Sequence, residues 1–110
     1  MIDLKAEALY YFYLFSTKNL HALEKLFADN CVLRDWENNA EGKDDVLSVY
    51  EKIFNGVTSI AVTPAALYQD GYTVLAELLI TINGKEQILV TDVITFNEIA
   101  KISSVRAYKG

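Results

Sequence analysis

The chain has 110 residues, enough for one domain with one modest core. Hydrophobic residues make up 52% and charged residues 23%, a globular composition rather than a disordered one. The formal net charge of −5 argues against nucleic acid or an anionic membrane as partner, since both need a basic footprint.

The start, Met1-Ile2-Asp3-Leu4-Lys5, lacks the basic-then-apolar build of a signal peptide, and no apolar stretch is long enough to span a bilayer. Residues 3–17 read as a helix. Leu4, Ala8, Tyr11 and Phe15 fall on one stripe, but Tyr10-Tyr11-Phe12-Tyr13-Leu14-Phe15 is apolar nearly all round. Such a helix is expected to be covered on more than one side. Asn19 reads as the N-cap of a short second helix carrying Leu20, Leu23, Leu26 and Phe27, ended by Asp29-Asn30. His21 on that helix is expected to be solvated.

A strand is expected near 31–37, then a polar loop over 38–42. The lone Cys31 cannot make an internal disulfide, and reads as a small buried hydrophobe in a reducing cytoplasm. With a single histidine it cannot build a zinc site of the usual Cys/His kind. The third helix is the clearest element. Val46, Val49, Tyr50, Ile53 and Phe54 keep helical spacing, and Asn55-Gly56 supplies the stop. Asp44-Asp45 fit the acid-rich first turn of that helix and imply no metal.

The rest reads as β, with strands near 57–69, 73–82, 86–96 and 99–109. Asp70-Gly71 and Asn83-Gly84 are hairpin signals. Pro64 points to an edge strand or a bulge. Helix, helix, strand, helix, then a four-strand meander predicts an α+β fold: a curved antiparallel sheet wrapped over three helices, with a small-molecule pocket at its open mouth.

Two acids stand against this pattern. In the run Ile88-Leu89-Val90-Thr91-Asp92-Val93-Ile94-Thr95-Phe96, alternation puts Asp92 on one face with Ile88, Val90, Ile94 and Phe96. A carboxyl buried there resists ionisation, so its pKa should rise. Asp35 shares a strand face with Cys31 and Leu33. Bland alternatives exist for each: Asp92 as a buried acid bonded to a tyrosine, Asp35 as a strand-end acid paired with Arg34 or a loop amide. Tyr11 and Tyr50 carry hydroxyls on inward stripes, where aromatics usually serve as plain core. Trp36 reads equally as pocket wall, interface anchor or packing. One ionised carboxylate, one neutral acid and one or two phenols form a set suited to taking a proton beside a carbonyl. On that reading Tyr11 and Asp92 should lie within hydrogen-bond reach and point into one cavity. The chemistry needs no cofactor.

The segment Asn19-Leu20-His21-Ala22-Leu23-Glu24-Lys25-Leu26-Phe27-Ala28-Asp29-Asn30, followed by a strand with Asp35, resembles the start of SnoaL-like, NTF2-like domains. The ending Lys101-Ile102-Ser103-Ser104-Val105-Arg106-Ala107-Tyr108 resembles their last strand. The similarity covers nearly the whole chain and is strongest to bacterial ketosteroid isomerase. It implies an NTF2-like cone and a homodimer. It also implies Asp35 as base, Tyr11 with a neutral Asp92 as oxyanion donors, and Tyr50 as a supporting tyrosine. Ketosteroid isomerase is a known case of an acid kept neutral by apolar surroundings. Trp36 stands where the isomerase has proline, and the loop from Asn38 to Glu41 is shorter. Both changes fall at the expected mouth.

The function expected is therefore proton transfer on a small apolar carbonyl compound, isomerase-like, with a polyketide-cyclase or dehydratase reaction as a close variant. The reading from another class is a non-catalytic dimeric module with an apolar ligand pocket. A dimer fits the outer sheet residues Leu75, Leu79, Leu89 and Val93, which are too apolar to leave exposed in full.

Overall fold

Asp3 starts the first helix by accepting a hydrogen bond from the Ala6 N–H at 3.2 Å, which satisfies one of the orphan donors at a helix start. The structure, a computed structural model, describes residues 2–110. Helix α1 spans Leu4–Ser16 and buries Leu4, Ala8, Tyr11, Phe12 and Leu14. Its other side stays open, with Leu9, Tyr10 and Tyr13 exposed. The expectation of cover on several sides fails there, and the two tyrosine hydroxyls can reach water. Asn19 caps α2 as expected, accepting from Ala22 N at 3.0 Å. That helix is shorter than its spacing predicts, Leu20–Glu24. Phe27 opens strand β1 (Phe27–Arg34) instead. The reason is tertiary: the Ile102 N–H donates to the Leu26 carbonyl at 2.7 Å, so a sheet partner outbids the local helical period.

Strand β1 also stops earlier than expected, at Arg34. Asp35 lies beyond it, in a tight turn that returns the chain into β2 (Asn39–Glu41). The stretch 38–42 is thus not all loop. Gly42, at φ 88, leads into α3 (Lys43–Asn55), whose first turn carries Asp44 and Asp45 at the positive end of the helix dipole. Strands β3 (Ile60–Asp70), β4 (Thr73–Ile82), β5 (Glu86–Phe96) and β6 (Ile102–Lys109) complete the chain. Asn83 and Gly84 both hold positive φ, the geometry that matches a hairpin to strand twist. Pro64 lies on an edge strand and beside a bulge, since the β3–β4 register shifts between Pro64 and Ala66.

The six strands run in the order β2-β1-β6-β5-β4-β3. The meander β3 to β6 is antiparallel, but β1 pairs with β6 in parallel. The sheet is therefore mixed rather than purely antiparallel, because the last strand, β6, pairs with β1 far back in the sequence. Three helices pack against its concave face, giving the α+β cone expected from the sequence. Along β5 the alternation is as read from sequence: Val90, Asp92, Ile94 and Phe96 are buried. Between sheet and helices lies an aromatic cluster, with Phe15 and Phe54 ring centres 5.1 Å apart and Phe27 and Tyr50 5.7 Å apart. Full burial of a ring such as Phe27, Tyr50 or Phe54 contributes roughly 1.5–3 kcal/mol, while Phe15 is only partly buried. Among the described residues no helix is long and apolar enough to cross a membrane.

Candidate active site

The cone does not fill its own interior. A cavity of about 300 Å³ remains between α1, α3 and the inner face of the sheet, at the small end of ligand-sized pockets. Phe12, Phe15, Ile53, Leu78 and Val90 are among its walls, so its body is apolar. Tyr11, Asp35, Trp36, Tyr50 and Asp92 all line it, so the structure brings every residue singled out from the sequence to one cavity.

Asp92 sits mid-strand on β5 and is buried, with 7% of its surface exposed. Its register neighbours are Ala76 on β4 and Ala107 on β6. Two small side chains thus flank the carboxyl, and Ala107 lines the cavity beside it. Burial pushes the Asp92 pKa from 3.8 up to about 7, and the charge of Asp35 adds to the rise. No hydrogen bond from a described residue opposes that rise. The expected Tyr11–Asp92 bond is absent. Tyr11 bonds to Tyr50 instead, hydroxyl to hydroxyl at 2.7 Å. Burial raises both phenol pKa values well above 10, so both rings stay neutral and keep their protons. One of the two hydroxyls must donate to the other.

Asp35 is held differently. Its Oδ1 accepts from the backbone N–H groups of Glu37 at 2.8 Å and Asn38 at 2.6 Å. The Asn38 side-chain amide donates to Oδ1 and to Oδ2, each at 3.1 Å. Arg34, weighed from the sequence as a less favoured partner, takes no part: it ends β1, while Asp35 bonds within the turn that follows. The loop-amide alternative describes the local bonding, and the carboxylate nevertheless lines the cavity. Exposed lining residues mark the mouth: Trp36, Glu37, Glu86 and Lys109. The Lys109 ammonium lies 5.9 Å from the centre of the Trp36 ring, at the limit of a cation–π contact.

The chain matches the model of the SnoaL-like domain over residues 8–105. It belongs to the SnoaL-like family. No curated protein matches it. Its SnoaL-like fold is shared by a SnoaL-like polyketide cyclase candidate from Shewanella denitrificans OS-217, at TM-score 0.86 and 13% identity, covering 97% of this chain and 90% of that one. A candidate ketosteroid isomerase from Kribbella flavida DSM 17836 gives TM-score 0.84 at 16% identity, covering 97% of this chain and 77% of that one. SalBIII, an epoxide hydrolase/cyclase-like enzyme in pyran ring formation in the polyether salinomycin, gives TM-score 0.84 at 21% identity, covering 97% and 90%. At these identities the likeness is one of fold, and SnoaL-like cones host several chemistries.

Sequence reasoning put the loop that starts at Asn38 at the mouth but gave Asn38 no role of its own, and it did not reach Glu86 or Lys109. Asn38 sits in a polar turn and Glu86 opens β5, with no local oddity at either. The one available signal was the spacing of Asn38 three residues after Asp35, a pattern for a side-chain-capped turn. Among the described residues, no group of three or more His, Cys, Asp or Glu could hold a metal.

Proposed function

We propose that this SnoaL-like domain is a cofactor-independent acid–base catalyst acting on a small apolar carbonyl compound. The observation that carries this reading is Asp92: a buried carboxyl with a raised pKa, facing an apolar cavity with no described protein partner. Such a group is costly unless something bound there accepts its hydrogen bond. A substrate carbonyl is the matching acceptor. In the proposed step Asp35 takes a proton from the carbon beside the carbonyl. The C–H electron pair moves toward the carbonyl, and the resulting enolate oxygen receives hydrogen bonds from Tyr11 and neutral Asp92. Return of the proton to another carbon of the conjugated system completes an isomerisation and restores the carboxylate. Donors fixed in a dry site act far better than water on developing charge. Tyr50 supports Tyr11, and Trp36 contacts substrate at the mouth. We place the protein in the cytoplasm as a homodimer.

A second reading is favoured by the source of Asp35's hydrogen bonds, which all come from its own turn. A carboxylate anchored in its own turn fits a binding module that holds an apolar ligand without chemistry. Turnover of a panel of small enones, with a 5-ene-3-ketosteroid included, decides between the two. The catalyst should turn over at least one panel member, lose that activity in Asp35→Asn, and bind a phenolate-type enolate mimic more tightly than the neutral ketone. No turnover, with mimic and ketone bound equally, leaves the binding module.

A further inference from the structure

We infer that Asn38 is a positioning residue: its side-chain amide sets the plane of the Asp35 carboxylate so that Oδ2 is the oxygen presented to the cavity. This rests on the reading of Asp35 as base. Oδ1 accepts from two backbone N–H groups and from Asn38 Nδ2, whereas Oδ2 accepts from Asn38 Nδ2 alone. A carboxylate oxygen has about two acceptor directions, so only Oδ2 retains an open one. The two backbone donors pin a single oxygen. They leave the carboxylate free to turn about its own bond to the chain. The amide spans both oxygens and removes that freedom.

The orientation of the amide follows from chemistry. A carboxylate only accepts, so the nitrogen of Asn38, not its oxygen, must face Asp35. The turn is stiff enough to hold the pair, because Asp35 N–H also donates to the Asn38 carbonyl at 2.9 Å. Asn38 itself is half-buried and lines the cavity. It therefore stands at the boundary where a small error in the direction of the base is felt by the substrate. Misplacement of a reacting group by about 1 Å can cost about 10²-fold in rate.

The test compares Asn38→Ala with Asn38→Asp, using the panel substrate that wild type turns over. Asn38→Asp keeps volume and turn preference but replaces the donor by a like charge. Positioning predicts a kcat loss of about 10²-fold in Asn38→Ala and a larger loss in Asn38→Asp, with KM held within about twofold in both. A space-filling role predicts the reverse order, since the isosteric aspartate would be the milder change. Wild-type kcat in Asn38→Asp, or kcat, KM and Tm falling together, overturns the inference. Crystal structures of wild type and Asn38→Ala give a readout independent of turnover. The Asp35 carboxylate should rotate or split into two conformers once the amide is gone, and an unmoved carboxylate overturns the inference. If wild type turns over nothing, the catalytic reading fails, and the crystal comparison alone decides the role of Asn38.

Discussion

Tyr11 and Tyr50 share one hydrogen bond, 2.7 Å between their hydroxyl oxygens, inside a cavity that also exposes Asp92. Tyr11 comes from α1 and Tyr50 from α3, so the bond crosses the gap between two helices. Only one of the two protons is spent on the bond. The other remains for whatever the cavity holds. If Tyr50 donates, Tyr11 accepts and its own proton points outward to the ligand.

That arrangement predicts unequal effects. Tyr11→Phe should cost about 10²–10³ in kcat, the usual loss for one oxyanion donor. Tyr50→Phe should cost less in rate, because the Tyr11 hydroxyl survives. Both should lower stability by about 0.5–1.5 kcal/mol, the net worth of one hydrogen bond. The double variant should lose less stability than the two single losses added together, since both remove the same bond. Additive losses in urea unfolding would show that the hydroxyls do not act as a pair.

The raised pKa of Asp92 predicts a stability profile of unusual sign. Between its ordinary value of 3.8 and about 7, the folded chain holds a proton that the unfolded chain releases. Stability therefore falls as pH rises through this window, by up to about 4 kcal/mol once the folded carboxyl is ionised. The contribution of protonated Asp92 is fully present below the unfolded pKa. Asp92→Asn cannot titrate, so it should be more stable than wild type at about pH 8 and lack that part of the slope. Urea unfolding at about pH 5 and about pH 8 measures both. In activity, Asp92→Asn should retain much of the wild-type rate, because an amide still donates, and Asp92→Ala should lose more. Equal slopes in wild type and Asp92→Asn would remove the buried neutral acid from the account.

The convex side of the sheet predicts self-association. Leu89 is 65% exposed and Leu75 36%, with Tyr108 exposed nearby on β6. An apolar sheet face of this kind is rarely left to water. Two copies packed face to face would cover it by two-fold symmetry. Sedimentation at micromolar concentration should give a dimer, and Leu89→Arg should give a folded monomer. A wild-type monomer under those conditions would refute the assembly.

What the sequence determined by itself was mostly local. Helical spacing, the Asn19 cap, the Asn83-Gly84 turn and the alternation along β5 are properties of neighbouring residues. Short-range sterics and burial are enough to produce them. The inward aspect of Asp92 belongs to this group, because period-two geometry leaves a strand residue only two faces. The resemblance carried by 19–30 and 101–108 extended the reading to the cone and its family. The tertiary structure decided what depends on distant partners. Phe27 left its helical stripe because β6 supplied a hydrogen-bonding edge. β1 came to pair in parallel with β6 because two segments far apart in sequence met in space. Asp35 became a turn residue once β2 folded back on β1, and that turn brought Asn38 onto its carboxylate. Tyr11 found Tyr50 rather than Asp92 because the packing of α1 on α3 set the two hydroxyls a bond length apart. Pairings of this kind depend on packing geometry, which no window of the chain contains.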